Sequence, residues 1–167
     1  MSPLGPAYAV AWNLVDPAAG GNNVMDWGIA SINAANMTVN WSQAWTGPDA
    51  AVHEDVRDLV LKPVGLGYYA TCGTRIDAST GGMSGLVTSV NRVTGLLAYQ
   101  RVLTPGTGYG LELNSLTVIP SPTCAEYVLF GTLVPNTPTG KKKVFVASMT
   151  CAGVVNWSWA LSLSNTD

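Results

Sequence analysis

Apolar and polar positions alternate with a period of two along three arms of the chain, Val39 to Trp45, Leu97 to Leu103 and Val155 to Leu161. In the first, Val39, Trp41 and Trp45 share one face while Asn40, Ser42 and Ala44 take the other, which is the pattern of a strand. Leu97, Tyr99 and Leu103 repeat it, as do Val155, Trp157, Trp159 and Leu161. Each arm follows a short run of β-branched and small residues, Ile29, Ala30, Ser31 and Ile32 in the first case, and a turn holding Asn36, Gly95 or Gly153. Each such segment predicts a hairpin. The best helical spacing is Val52, Val56 and Leu59, but that stretch, Asp49 to Leu61, is short and runs into Pro63. It is read as a loop followed by a strand.

The hairpins are copies of one another. Ser31, Ser89 and Ser148 fall in register at spacings of 58 and 59 residues; Trp41 and Tyr99 stand ten residues further on, and Trp157 nine. The segments between them repeat too: Gly73-Thr74 aligns with Gly131-Thr132, and YAVAWNLVD from Tyr8 matches YATCGTRID from Tyr69. One unit is four strands, Leu59 to Val64, Tyr68 to Ile76, Leu86 to Arg92 and Leu96 to Leu103. A four-stranded antiparallel unit repeated in tandem predicts an all-β fold, a partial β-propeller of about three blades of ~58 residues. Residues 1–46 form blade 1 without its first strand, 47–104 blade 2 and 105–167 blade 3, together one propeller domain or part of one. A β-sandwich gives no reason for the internal match. A β-helix explains repetition but usually with shorter repeats.

The hairpin residues carry a family resemblance. VTSVNRVTGLLAYQRVL, with Asn91, Thr94, Gly95 and Tyr99, is similar to the quinoprotein-type propeller repeat, in which a strand ending near Asp or Asn leads through a Thr-Gly turn into a strand bearing Trp. VFVASMTCAGVVNWSWAL equally resembles bacterial and algal propeller repeats with a Gly turn before a Trp strand. The resemblance implies an architecture. A quinone-dependent dehydrogenase of that family would need a calcium-binding carboxylate cluster and a catalytic Asp, and no residue here matches either, so that activity is not carried over and no cofactor is expected.

About two and three-quarter blades do not close a ring, since propellers need four or more. Other protein chains, or further blades of the same protein, are expected to cover the open faces. The missing first strand of blade 1 makes a six-bladed dimer awkward and favours an arc of a longer propeller.

Composition narrows the partners. Charged residues make up 11% of the chain and the formal charge is −2, so nucleic acid is not an expected partner. Lys141, Lys142 and Lys143 read as a solvated turn. No run reaches the ~18 apolar residues of a membrane span. His53 is the lone histidine, beside Glu54 and Asp55; with Asp58 these carboxylates form the only acidic cluster, without the spacing of a calcium loop.

Cys124, in a turn between the first two strands of blade 3, and Cys151, in the turn between its last two, are expected at the same end of the blade and are the candidates for a disulfide. Cys72 reads as a small core residue. Asn36, Asn40 and Asn156 head Asn-x-Ser/Thr sequons; Asn36 lies in a turn and is the best acceptor. Together these features point to an extracellular or cell-surface setting, with a glycan as a further partner. Trp41, Trp45, Trp157 and Trp159 recur at repeat positions and read as core, whereas Trp12 and Trp27 break the pattern and are the candidates for ligand contact. The expected function is a non-catalytic propeller module acting as a structural or protein-interaction unit of an extracellular or cell-surface glycoprotein assembly. A carbohydrate- or small-ligand-binding propeller is the alternative, and a fragment of a quinoprotein-like enzyme the third reading.

Overall fold

The computed structural model describes residues 7–16, 24–45, 52–61, 67–77, 79–120 and 126–162, and those residues form an all-β chain. Strands β1 (Ala7–Asp16), β2 (Val24–Asn33) and β3 (Val39–Trp45) form sheet 1 in that order. Strands β4 (Val52–Leu61), β5 (Tyr68–Asp77), β6 (Met83–Asn91) and β7 (Leu97–Leu103) form sheet 2. Strands β8 (Tyr109–Ile119), β9 (Glu126–Pro135), β10 (Lys143–Met149) and β11 (Val155–Ser162) form sheet 3. Every pairing is antiparallel between consecutive strands, and no sheet closes on itself.

Two β-bulges recur in the repeat and explain where its alternation slips. In β4, Val56 lies opposite Gly73 and Asp58 opposite Cys72, leaving Arg57 unpaired. In β8, Leu113 lies opposite Gly131 and Ser115 opposite Phe130, leaving Asn114 unpaired. A bulge advances the side-chain alternation by one residue. It therefore sets Val52, Val56 and Leu59 on one face of a strand at a spacing that mimics a helix. The segment expected to be loop and then strand is strand from Val52 onward, and residues 62–66, expected to continue it, lie outside the described residues.

The second bulge lies in each final hairpin. Ile32 opposes Val39 and Ser31 opposes Trp41, with Asn40 extra; Ala98 and Asn156 are the extra residues in the other two. Val39 is thereby turned to the face opposite Trp41, not the same one, and Leu97 and Val155 likewise part from Tyr99 and Trp157.

Glycine is required where the first bulge crosses its neighbour. A Cβ at Gly73 would collide with the Asp55 carbonyl oxygen, and one at Gly131 with that of Glu112. Trp12 holds the matching position in sheet 1, where no bulged first strand passes among the described residues, and its ring instead covers Gly28 across the β1–β2 pair.

The sheets dock face to face, and the docking repeats. Strand β4 packs across β1 and β2, and β8 packs across β4, β5 and β6. Trp27, Ile29, Leu86 and Val90 fill the first junction with Trp41 and Trp45 against them; Ala70, Cys72, Val87, Leu113 and Leu129 are among those filling the second. Each large side chain enclosed there contributes about 2 kcal/mol relative to exposure.

Candidate functional site

Three groups of side chains qualify for attention: the polar seams where sheets meet, the buried Glu54, and the uncovered face of sheet 3.

The polar seam is built by the first-strand bulges. Asn13 of sheet 1 donates from Nδ2 to the Val56 carbonyl (3.2 Å) and accepts from the Val56 N–H (2.7 Å). One sheet on, Asp58 Oδ2 accepts from Leu116 N (2.9 Å) and Ser115 Oγ (2.7 Å), while its Oδ1 takes Leu59 N (2.8 Å). Arg57 donates from Nη1 to Asn114 Oδ1 (2.6 Å) and pairs through Nε with Asp55 (2.9 Å), whose other oxygen accepts from Thr74 N (2.5 Å). A bulge frees backbone groups from their ladder, and a side chain of the preceding sheet takes them up. These carboxylates are engaged as latches.

Glu54 is buried on the other side of β4. Its Oε2 accepts from Trp27 Nε1 (3.1 Å) and Gln100 Nε2 (3.2 Å), and Arg75 Nη1 lies 3.8 Å from Oε1. The sequence neighbours Glu54, Asp55 and Asp58 thus point to different partners. Among the described residues no group of three or more His, Cys, Asp or Glu is placed to hold a metal ion, and no helix is long and apolar enough to cross a membrane.

Trp27 is 1% exposed, stacked on Trp45 at 4.4 Å between ring centroids, with its indole N–H on Glu54. No face of that ring is left for a ligand. Trp12 is half-buried on the outer face of sheet 1. Trp41 is half-buried, tucked against the β6–β7 turn, with Nε1 donating to the Arg92 carbonyl at 2.8 Å.

Trp157 and Trp159 behave differently from the expected core aromatics. All of β11 is exposed, with Trp157 at 44% and Trp159 at 64%, their rings edge to face at 6.3 Å. With Val146 and Leu161 they line an open concavity of about 540 Å³. The repeat turns this position toward the next sheet, and among the described residues no sheet packs on that face of sheet 3.

The sequon residues divide. Asn36 is exposed in the β2–β3 turn, its Oδ1 accepting from Thr38 N (3.1 Å) and Thr38 Oγ1 (2.8 Å). Asn40 and Asn156 are the bulge residues, and each donates from Nδ2 to the register serine, Ser31 or Ser148, at 3.3 Å. Cys151 lies half-buried in the β10–β11 turn, while its expected partner Cys124 lies outside the described residues. Cys72 is a buried free thiol, pushed up to about 12 by burial and by the nearby charges of Asp58 and Asp55. Lys141 and Lys142 are exposed, and the Lys143 ammonium sits 4.6 Å from the Tyr109 ring centroid.

The turn in sheet 1 was misassigned by the sequence pattern. Met37, not Asn36, takes the left-handed place of Gly95 and Gly153, with φ of 58° against 72° and 80°. Counting six residues beyond the register serine finds Met37, but methionine carries no sequence signal for that conformation.

No family model, curated protein or solved structure matches this chain.

Proposed function

We propose that the chain is an arc of a β-propeller and a non-catalytic module, a structural or protein-interaction unit of an extracellular or cell-surface glycoprotein assembly. The observation that carries the reading is the apolar face of sheet 3, where Val144, Trp157, Trp159 and Leu161 stand exposed together. Soluble proteins rarely leave such patches without a partner. The similar docking of sheet 2 on sheet 1 and of sheet 3 on sheet 2, each led by the first strand of the later sheet, supports a propeller rather than a sandwich. The engaged carboxylates of the seams favour structure over catalysis.

A Cys124–Cys151 bridge and a glycan on Asn36 belong to the same reading. Averaged electron-microscopy images of the native particle test the architecture: a ring of radiating sheets is expected, and two stacked sheets would overturn it. Peptide mapping of protein from a secretory host is expected to find Cys124 joined to Cys151 and a sugar on Asn36; free thiols and a bare Asn36 would remove the extracellular setting.

A carbohydrate-binding propeller is the second reading, favoured by the exposed Trp157–Trp159 pair as a stacking surface. Glycan-array signal that disappears with Trp159→Ala would support it, and an empty array would remove it.

A further inference from the structure

Resting on the propeller reading, we infer that the open face of sheet 3 is covered by sheet 1 of a second copy of this chain, two copies closing head to tail into one ring. One contact between neighbouring sheets is made twice within the chain. The fourth-place aromatic of one sheet sits on the last turn of the next. The Trp41 ring lies 2.8 Å from where a Cβ of Gly95 would be, and the Arg101 stem and Tyr99 ring lie 2.9 and 3.2 Å from that of Gly153. Trp157 occupies the same place in the third copy of the repeat, and among the described residues no turn lies against it.

Among the described residues, sheet 1 holds the one turn of this kind that no aromatic covers. Its backbone copies the sheet 2 turn: Met37 N donates to Asn33 O at 2.9 Å as Gly95 N does to Asn91 O at 2.9 Å, and Asn33 N to Thr38 O at 2.8 Å as Asn91 N does to Leu96 O at 2.8 Å. The Asn33 side chain repeats that of Asn91, each Oδ1 accepting at 2.8 Å from the N–H two residues on. Ala34 therefore presents the carbonyl that corresponds to Arg92's, the acceptor for Trp41. Met37 is 66% exposed at the left-handed position. A Cβ at Gly95 would already crowd the Trp41 ring, so an indole docked on this turn sits further out than on a bare glycine, and a flexible thioether accommodates an aromatic there.

The outer face of sheet 1 also fits by character. Ala11 and Asn13 turn toward sheet 2, so Tyr8, Val10 and Leu14 project outward, and all three are exposed. Tyr8, Val10 and Leu14 are uncharged, with the buried Asp26 opposite Leu14 as a carboxylate on that face, and Val144, Trp157, Trp159 and Leu161 on sheet 3 are uncharged as well. Trp12 removes the objection raised by the missing first strand. A bulged strand needs glycine at that position, as at Gly73 and Gly131, so sheet 1 is shaped to work with three strands. Propellers close with about four to eight blades. Two copies of the three described sheets make six, a number within that range. Each contact is heterologous, and the pair closes because each copy supplies one face of each kind.

Light scattering of the native protein beside two variants decides the matter. The wild type is expected at twice the 17.4 kDa chain mass. Trp157→Glu and Met37→Lys, both at exposed sites with far-UV circular dichroism as the folding control, are each expected at the single-chain mass. An equimolar mixture of the two is expected to recover the doubled mass, because one contact is then wild type and the other pairs Glu with Lys. Should Trp157→Glu fail to fold, Trp157→Ser takes its place. A wild type at single-chain mass, an open-ended series of larger species, variants that keep the doubled mass, or a mixture that does not recover it would overturn the second copy. A single-chain mass with slow amide exchange still found at Val56 and Leu116 would leave the propeller arc standing. Fast exchange at both sites would count against the arc itself.

Discussion

The junction between sheets 1 and 2 and the open face of sheet 3 present the same repeat positions in two environments. Trp41 and Trp45 at the junction are half-buried, one bonded to the Arg92 carbonyl and the other stacked on Trp27. Trp157 and Leu161, which match them in the repeat, stand in the open. The residues are of one kind and their local strands are alike, down to the bulge and the Asn-to-Ser hydrogen bond beside it. In a repeat, burial is thus set by whether a next unit is present, not by the side chain.

The comparison can be broken most sharply at Trp27. Trp27→Ala opens a cavity and takes a donor from the buried Glu54, so a loss of about 3–5 kcal/mol is expected in urea unfolding. Trp159→Ala, at a dilution where the chain is single, is expected to change stability by less than about 0.5 kcal/mol. Equal losses would erase the distinction between the two regions.

Next in size is Gly73→Ala, whose methyl group would meet the Asp55 carbonyl. About 3 kcal/mol is expected, because backbone must move to admit it. Trp12→Ala, at the matching position in sheet 1, is expected to cost about 1 kcal/mol, the loss of a half-buried ring on one face. A smaller effect at Gly73 than at Trp12 would mean that the bulge is not the constraint.

Asp58→Ala leaves the Leu116 N–H without its acceptor and should cost about 1–3 kcal/mol. Ser115→Ala, at the matching place on β8, removes the exposed hydroxyl that donates to Asp58 Oδ2 and should cost less, about 0.5–1 kcal/mol.

The smallest effect is alkaline. Folding holds the Cys72 thiol protonated up to about 12 against 9.0 for the free group, so its contribution is complete below pH 9 and drains away as pH rises toward 12. Stability should slope downward over that window, and the slope should be shallower in Cys72→Ala. Burial likewise raises the Tyr99 hydroxyl, so part of the slope remains. An unchanged slope would place Cys72 outside the sheet 2–sheet 3 core.

Much of this fold is legible in the sequence because β3, β7 and β11 keep a two-residue period beyond their bulges, and each follows a turn and a run of β-branched and small residues in β2, β6 or β10. The hairpins centred on Ser31, Ser89 and Ser148 lie where the repeat puts them. The start of β4 was hidden because a bulge at Arg57 converts a strand face into a helix-like spacing. The face of Val39 was hidden by the bulge at Asn40, which no residue type announces. An open face follows from the number of repeats, but that Trp157 and Trp159 lie on it was hidden: Trp157 carries the same signal as Trp41, and the two differ in that no described sheet packs on that face of sheet 3. Met37 was missed because the left-handed turn is imposed by Asn33 and the hairpin around it, against methionine's own preference.

Residue-resolved oxidative footprinting of the native protein over a range of concentrations tests most directly whether one docking contact serves every sheet. Trp27 and Trp41 should stay protected throughout, while Trp157 and Met37 react freely at dilution and gain protection together as concentration rises. Trp157 reacting freely at every concentration, or gaining protection without Met37, would contradict the account.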